Sequence, residues 1–236
     1  MKVFRESDNL YRLTQLGLVN CFLIGESDGF TLVDAGFPGS GKKIIRIAEE
    51  LGRQIRTIIL THAHFDHVGA VDEIVASLPG VALCVGAREA RLLTGDLSLL
   101  PGEARKKLFG FSKVSVTPTR LLTAGDKVGA LTVVSSPGHT PGHISLFDAR
   151  DGSLIAGDAY VTQTGVIAAG VFKARFPFPA LFSWDGTLAA ESAAVLEALK
   201  PGLLAAGHGA IVKSPTEAMA RAVKEAFRQH PDAVRR

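Results

Sequence analysis

The apolar positions in the first half of the chain alternate between strand-like and helix-like patterns. Residues 19–24 and 30–33 are apolar runs separated by a short Asp-Gly turn, which predicts a hairpin of two strands. Within residues 44–51, apolar side chains recur at i, i+3, i+4 and i+7, which predicts a helix with one buried stripe. The apolar run 57–60 then predicts a strand buried on both faces. This half therefore has the order hairpin, helix, buried strand.

The second half of the chain repeats this order. Residues 144–147 and 154–156 predict a hairpin around a second Asp-Gly turn, a helical stripe follows over 188–199, and 203–206 is another apolar run. In both halves the last strand ends in histidine. The repeat predicts a mixed α/β (α+β) fold, a four-layer αββα sandwich of two similar halves. We expect its histidine-bearing strand ends to meet at one edge.

Length and local signals agree with one folded domain. A chain of 236 residues is long enough to bury a sizeable core, so we predict a single domain over residues 1–236. The last helix is predicted to open at a capping box formed by Ser214 and Glu217, with Pro215 at its first position.

Composition excludes several classes of protein. The formal net charge is only +3, and the short basic cluster at 105–107 is interpreted as a solvated face, so no nucleic-acid partner is expected. The uncharged run 128–147 contains two prolines and two histidines, so we expect no membrane span. The first residues contain no apolar stretch of signal-peptide length, so no signal peptide is expected, and Cys21 and Cys84 are predicted to be buried thiols. These features predict a cytoplasmic protein.

Candidate metal ligands are concentrated in three short segments. His62 and His64 directly follow the predicted strand 57–60, and residues two apart in an extended segment point the same way. Asp66 and His67 come after the chain begins to turn, so they can serve a second position.

The other candidates lie in the second half. They are His139 in a loop rich in proline and glycine, Asp158 after a strand, and His208 after the run 203–206. Imidazole and carboxylate without thiolate suit zinc, manganese or iron, and seven candidates exceed the four ligands of a closed zinc site. Two ions with shared ligands fit this number. His143 is expected to support the site or the fold, and direct contact with metal is the alternative.

The run His-Ala-His-Phe-Asp-His at 62–67 matches the His-x-His-x-Asp-His signature of the metallo-β-lactamase superfamily, and the later motifs follow in the expected order. From about residue 19 to 212 the chain resembles this superfamily, in its glyoxalase II and lactonase-like branch. The resemblance implies the metallo-β-lactamase fold and a site with two divalent ions, zinc being expected and manganese or iron being alternatives. It implies a first metal bound by His62, His64 and His139, a second bound by Asp66, His67 and His208, Asp158 as the bridge, and Asp34 as a supporting residue.

The same resemblance implies the chemistry. A hydroxide that bridges the metals would cleave an ester, thioester or lactone of a small substrate, and Asp66 would orient the nucleophile and pass a proton as the catalytic residue. The alternative is an oxidoreductase, the mononuclear iron persulfide dioxygenase of the same superfamily, with His62, His139 and Asp158 as ligands.

The residues that select the substrate are less sharply marked. The stretch 160–185 is rich in aromatic side chains and lacks strong regular signals. Tyr160, Phe172 and Trp184 are the predicted pocket residues. A lid, ordinary core packing and the face of a homodimer are alternative interpretations of the same stretch.

Overall fold

The computed structural model describes residues 1–234, and they fall into two compact units. The first unit comprises Met1–Asp96 and Phe111–Leu122. The second comprises Leu97–Gly110 and the chain from Thr123 onward. Each unit has its own sheet and helices, and the assignment of both to one domain stays a prediction.

The first unit is built on a seven-stranded sheet. Its elements in chain order are β1 (Lys2–Arg5), β2 (Leu10–Gln15), β3 (Val19–Gly25), β4 (Phe30–Val33), α1 (Gly41–Glu50), β5 (Ile55–Leu60), α2 (Phe65–Val68), α3 (Val71–Ser77), β6 (Ala82–Gly86), α4 (Glu89–Leu93) and β7 (Arg120–Leu122). The strands lie in sequence order. They pair antiparallel from β1 to β4 and parallel from β4 to β7.

The second unit has a six-stranded sheet in the order β15-β14-β11-β10-β9-β8 and a small ribbon of β12 and β13. Its elements are β8 (Lys127–Val128), β9 (Leu131–Ser135), β10 (Ile144–Asp148), β11 (Ser153–Gly157), β12 (Tyr160–Val161), β13 (Ile167–Ala168), α5 (Phe178–Leu181), α6 (Gly186–Ala198), β14 (Leu203–Ala206), β15 (Val212–Lys213) and α7 (Thr216–Gln229). Among residues 1–234, no helix combines the length and the apolar character that crossing a bilayer requires.

The internal repeat is confirmed within each unit. In the first unit β3 and β4 form an antiparallel hairpin, and α1 leads into β5, which lies parallel to β4. In the second unit β10 and β11 form the hairpin, and α6 leads into β14, which lies parallel to β11. Parallel neighbours end at the same edge of their sheet. In each unit, therefore, the side chains that follow two neighbouring strands are brought together.

Two helix boundaries illustrate where local patterns succeed and fail. α1 buries the predicted stripe of Ile44, Ile47 and Ala48, and Gly52 follows its end in a left-handed conformation (φ 82°). The capping box predicted at Ser214 is wrong, because α7 begins at Thr216 with Pro215 as its N-cap and without a side-chain capping bond. Ser214 is left-handed (φ 50°), and its N–H donates to the carbonyl of Gly202 at 2.8 Å. A contact with a distant residue therefore holds Ser214 outside the helix.

The two cysteines are buried free thiols, as predicted. Cys21 lies on β3, where burial raises the pKa of its thiol to about 12, and burial also raises the pKa of the Cys84 thiol on β6. Because the thiolate is the reactive form, we expect both to react with an aromatic disulfide reagent at pH 8 at least ~100-fold more slowly in the native protein than in denaturant. The release of coloured thiolate measures both rates. Rapid reaction of the native protein would contradict this assignment.

Candidate metal centre

The first unit brings the His-x-His-x-Asp-His residues together at the end of β5. The chain stays extended through His64 (ψ 149°) and then enters α2, which carries Asp66 and His67. The ring of His62 lies 4.8 Å from that of His64 and 4.1 Å from that of His67, measured between centroids. All three histidines are buried. The predicted change from strand to turn therefore clusters the imidazoles.

Asp34 supports this cluster from the end of β4. Its carboxylate accepts hydrogen bonds from the N–H of Thr61 (2.8 Å), the hydroxyl of Thr61 (2.8 Å) and Nδ1 of His67 (2.8 Å). Asp34 has a left-handed backbone (φ 59°), which aspartate tolerates better than most residues do. The carboxylate is thus bonded to two residues of the cluster segment, and its supporting role at a metal site stays a prediction.

The same hydrogen bonds determine which nitrogen of each imidazole carries the proton. The hydroxyl of Thr61 donates to Asp34, so it accepts from Nδ1 of His62, which lies 2.9 Å away. Nδ1 of His67 donates to the Asp34 carboxylate. In their neutral forms both rings therefore have the lone pair on Nε2, the arrangement that metal-binding histidines use when a carboxylate or hydroxyl holds the other nitrogen. This donor set fits a divalent metal ion.

Asp66 is more exposed than the three histidines of this cluster. Its side chain is 16% exposed, and Oδ2 lies 3.9 Å from Nε2 of His67. A carboxylate that is open to solvent and beside this histidine can accept and release a proton. Its assignment as both ligand and catalytic residue stays a prediction.

Sequence reasoning missed Glu89, which is fully buried at the start of α4. Its Oε2 accepts a hydrogen bond at 2.9 Å from the N–H of Ala63, the residue between His62 and His64. Glu89 therefore fixes the backbone between His62 and His64. No sequence motif identifies Glu89, because its partner lies 26 positions away and the short helix α4 has no distinctive pattern.

In the second unit, Asp158 and His208 follow two neighbouring parallel strands. The β11–β14 ladder has an irregularity, since Ile155 pairs with Ala205 but Gly157 pairs with Ala206. Asp158 follows directly after this bulge. Its Oδ2 lies 3.1 Å from Nε2 of His208 and 3.5 Å from Nε2 of His139. The carboxylate therefore contacts both His139 and His208.

The loop that carries His139 is held against the start of α6. The N–H of Trp184 donates to the carbonyl of His139 at 3.0 Å, and that of Asp185 donates to Gly138 at 2.8 Å. A Cβ on Gly138 would lie 2.2 Å from the backbone nitrogen of Ala189, so only glycine permits this approach. Ser183, which sequence reasoning also missed, places its Oγ 3.4 Å from Nδ1 of His139.

His143 uses both ring nitrogens in hydrogen bonds to the protein. Its Nε2 accepts from the N–H of Asp158 at 3.0 Å, so Nδ1 carries the proton and donates to the hydroxyl of Ser136 at 2.8 Å. That hydroxyl donates to Ser145 (2.8 Å), whose hydroxyl donates to the carbonyl of Ala156 (3.2 Å). The series of bonds ties Asp158 to β10 and β11, and the supporting role of His143 at a metal site stays a prediction.

Replacement of His143 by alanine is expected to destabilise the protein and loosen Asp158. The N–H of Asp158 and the hydroxyl of Ser136 would lose a buried partner, at about 1–3 kcal/mol each. For a chain of this length, the melting temperature should fall by roughly 5–15 °C. Ser136→Ala removes the bonds of Ser136 to His143 and Ser145 but keeps the bond between His143 and Asp158, so it should destabilise the protein without loosening Asp158. Thermal denaturation followed by circular dichroism gives both values, and a His143→Ala variant as stable as wild type would contradict this account.

The predicted pocket residues have different surroundings. Tyr160 is fully buried in the core of the second unit, where its hydroxyl donates to the carbonyl of Ala193 at 2.7 Å and burial raises its pKa. It therefore cannot line a surface open to substrate in this conformation. Trp184 is also buried, and its backbone holds the His139 loop. Phe172 is exposed, with its backbone bonded to Gln229 of α7.

Comparisons with known proteins agree with this fold and these residues. Residues 14–208 match the family model described as the metallo-beta-lactamase superfamily. The chain is 41% identical over 210 residues to the uncharacterized protein YobT of Bacillus subtilis (strain 168), covering 88% of this chain and 90% of that protein. It is 34% identical over 228 residues to the probable metallo-hydrolase YflN of the same organism, covering 87% and 86%.

A solved structure shows the same architecture. The β-lactamase from Chitinophaga pinensis superposes with a TM-score of 0.68 at 25% identity, covering 98% of this chain and 93% of that one. The predicted fold class is thereby confirmed. The histidine and aspartate clusters described above are of the kind that binds divalent metals. The chain belongs to the metallo-beta-lactamase superfamily.

Proposed function

We propose that this protein is a hydrolase that cleaves an ester, thioester or lactone of a small substrate with two divalent ions, zinc being the expected metal. The observation that carries the proposal is the hydrogen bonding at Asp34, which leaves Nε2 of both His62 and His67 as the ligand atom. In the second unit Asp158 contacts His139 and His208, which supports a role as a shared ligand.

The proposed ligands supply imidazole and carboxylate groups. In the proposal, His62, His64 and His139 bind one ion, and Asp66, His67 and His208 bind the other, with Asp158 shared. Bound divalent ions would supply a Lewis acid and would lower the pKa of a bound water to about 7. Asp66 accepts a proton from the attacking water and passes it to the leaving group.

The overall reaction follows from these roles. The water oxygen bonds to the carbonyl carbon of the substrate, and the C–O or C–S bond to the leaving group breaks. The proton goes to that leaving group, so an ester or thioester gives an acid and an alcohol or thiol, and a lactone gives a single hydroxy acid. The name of the relative YflN, a probable metallo-hydrolase, supports the hydrolytic class.

Metal content and activity, measured on the same sample, test the proposal. Protein purified without added metal is analysed by elemental mass spectrometry and assayed with a panel of esters, thioesters and lactones. We expect close to two equivalents of metal per chain and hydrolysis of at least one class. Dialysis against a chelator should abolish the activity, and zinc, manganese or iron should restore it.

Two results would overturn the proposal. Hydrolysis that persists unchanged after the metal has been removed would show that the metal is not required. A single iron per chain, with oxygen uptake on glutathione persulfide and no hydrolysis of the panel, would instead identify the dioxygenase.

A further inference from the structure

The second unit has a group of neighbouring phenylalanine rings, here termed the phenylalanine surface: Phe109, Phe176, Phe178 and Phe182. Ring centroids are 5.8 Å apart for Phe109 and Phe182, 6.1 Å for Phe178 and Phe182, and 5.2 Å for Phe176 and Phe178. Phe109, Phe178 and Phe182 are 39%, 52% and 42% exposed, whereas Phe176 packs against the core. The rings therefore form a continuous apolar surface that is anchored at one end.

This surface is attached directly to the loop of His139. Phe182 is followed by Ser183, whose Oγ lies 3.4 Å from Nδ1 of His139. The next two residues donate backbone hydrogen bonds to His139 and Gly138. Phe182, which lies between Phe109 and Phe178 on this surface, is thus the residue next to a side chain in contact with a proposed metal ligand.

The segment that carries Phe109 is held to the same place. Lys106 forms an ion pair with Asp185 at 3.4 Å, and Asp185 caps the start of α6 by accepting from the N–H of Thr187. Phe109 follows three residues after Lys106 and packs on Phe182. Two separate chain segments therefore place phenylalanine rings beside the His139 loop.

The first unit has apolar rings beside its ligands too. Phe65 lies between His64 and Asp66 in the chain and is 48% exposed, and the ring of Phe111 lies 4.9 Å from that of His64. Exposed aromatic surface is costly in water unless a ligand covers it. Because these rings lie next to proposed metal ligands, we expect the substrate to be the group that covers them.

We propose that the phenylalanine surface binds the acyl chain of the substrate, which makes this protein a hydrolase of esters or lactones with long apolar acyl groups. This inference rests on the proposed function, because it places the scissile carbonyl near His139 and the chain along Phe182 and Phe109. Each methylene that leaves water for an apolar surface favours binding, so the preference should grow with chain length. The surface selects the substrate and takes no part in bond cleavage.

Chain-length dependence tests the inference. The metal-loaded protein is assayed with 4-nitrophenyl acetate, butyrate and octanoate, as wild type and as Phe182→Ala and Phe109→Ala. In wild type, kcat/KM should rise at least tenfold from acetate to octanoate. Each variant should lose about tenfold with octanoate and less than twofold with acetate. Phe4→Ala is the matched control, because Phe4 is also 39% exposed but lies on β1 under the guanidinium of Arg12.

Direct binding separates this inference from the proposed function. Octanoate and acetate are titrated into each protein by calorimetry, without any requirement for turnover. Tighter binding of octanoate that is lost in Phe182→Ala supports the surface even if no ester is hydrolysed, in which case the proposed function fails alone. Equal binding of both acids, or equal loss on all esters in the variants, would overturn the inference. So would a wild-type dimer that Phe182→Ala converts to a monomer with unchanged chain-length preference.

Discussion

The Asp158→Asn variant is expected to lose bound metal and hydrolytic activity together. Asparagine keeps the size of the side chain but replaces one acceptor oxygen with an N–H donor, which cannot bind a cation. Oδ2 of Asp158 lies close to Nε2 of both His208 and His139, so the substitution affects both contacts. Loss of one preorganised charge-stabilising group costs roughly 10²–10³ in kcat, and a shared ligand should reach at least that range. Elemental mass spectrometry and assays on the same sample measure the two losses.

Asp148→Asn provides the matched control for this experiment. Asp148 is a buried carboxylate of the same unit, but its ion pair is with Arg150 at 2.6 Å. That variant should retain its metal and most of its activity, with at most a moderate loss of stability. If Asp158→Asn keeps its full metal content and near wild-type activity, Asp158 is not a shared ligand.

The Asp34→Asn variant is expected to bind metal about 10- to 100-fold more weakly than wild type. Oδ2 of Asp34 accepts from both the Thr61 hydroxyl and Nδ1 of His67, and an amide N–H at that position would oppose two donors. With the amide nitrogen there, His67 would have to accept at Nδ1 and carry its proton on Nε2, which removes the lone pair from that atom; with the amide reversed, its N–H would oppose the N–H of Thr61. Effects of this size are typical when the hydrogen-bond partner of a metal-binding histidine is lost. Competition with a fluorescent zinc chelator measures the affinity.

Two comparisons separate orientation from general damage. Asparagine tolerates the left-handed backbone of position 34 (φ 59°) as well as aspartate does, so strain does not confound the result. Thr61→Ser keeps the hydroxyl that links Asp34 to His62, and its metal affinity should stay within about twofold of wild type. An Asp34→Asn protein with unchanged zinc affinity would show that the Asp34 hydrogen bonds do not hold the histidines in their metal-binding form.

Local periodicity was sufficient to predict much of this protein. The hairpins and the helical stripe of α1 depend on neighbours within a few positions, and both appear where they were expected. The clustering of His62 and His64 likewise follows from the alternation of side chains after a strand. The predicted repeat in element order is also found, since in each unit a helix leads from the hairpin to a further strand, and the parallel pairing of that strand is seen in the structure alone.

Features that depend on distant contacts could not be predicted in this way. Glu89 contacts Ala63 across 26 positions, and Ser183 contacts His139 across 44. Neither a glutamate nor a serine by itself indicates such a contact. Tyr160 is close to Asp158 in sequence, but its hydroxyl finds a carbonyl partner within the core. The predicted start of the last helix at Ser214 is wrong because the N–H of Ser214 is bonded to the carbonyl of Gly202.

The bulge in β11 has a consequence for how this protein can change over time. Side chains alternate along a strand, so the additional residue between Ile155 and Gly157 reverses the face to which the following position points. A chain that lost this one residue would retain the apolar runs of β11 and β14, and with them the packing of the unit. Asp158 would then be directed away from His139 and His208. One deletion would thus give a protein that keeps the fold of this unit but no longer places Asp158 beside the two histidines.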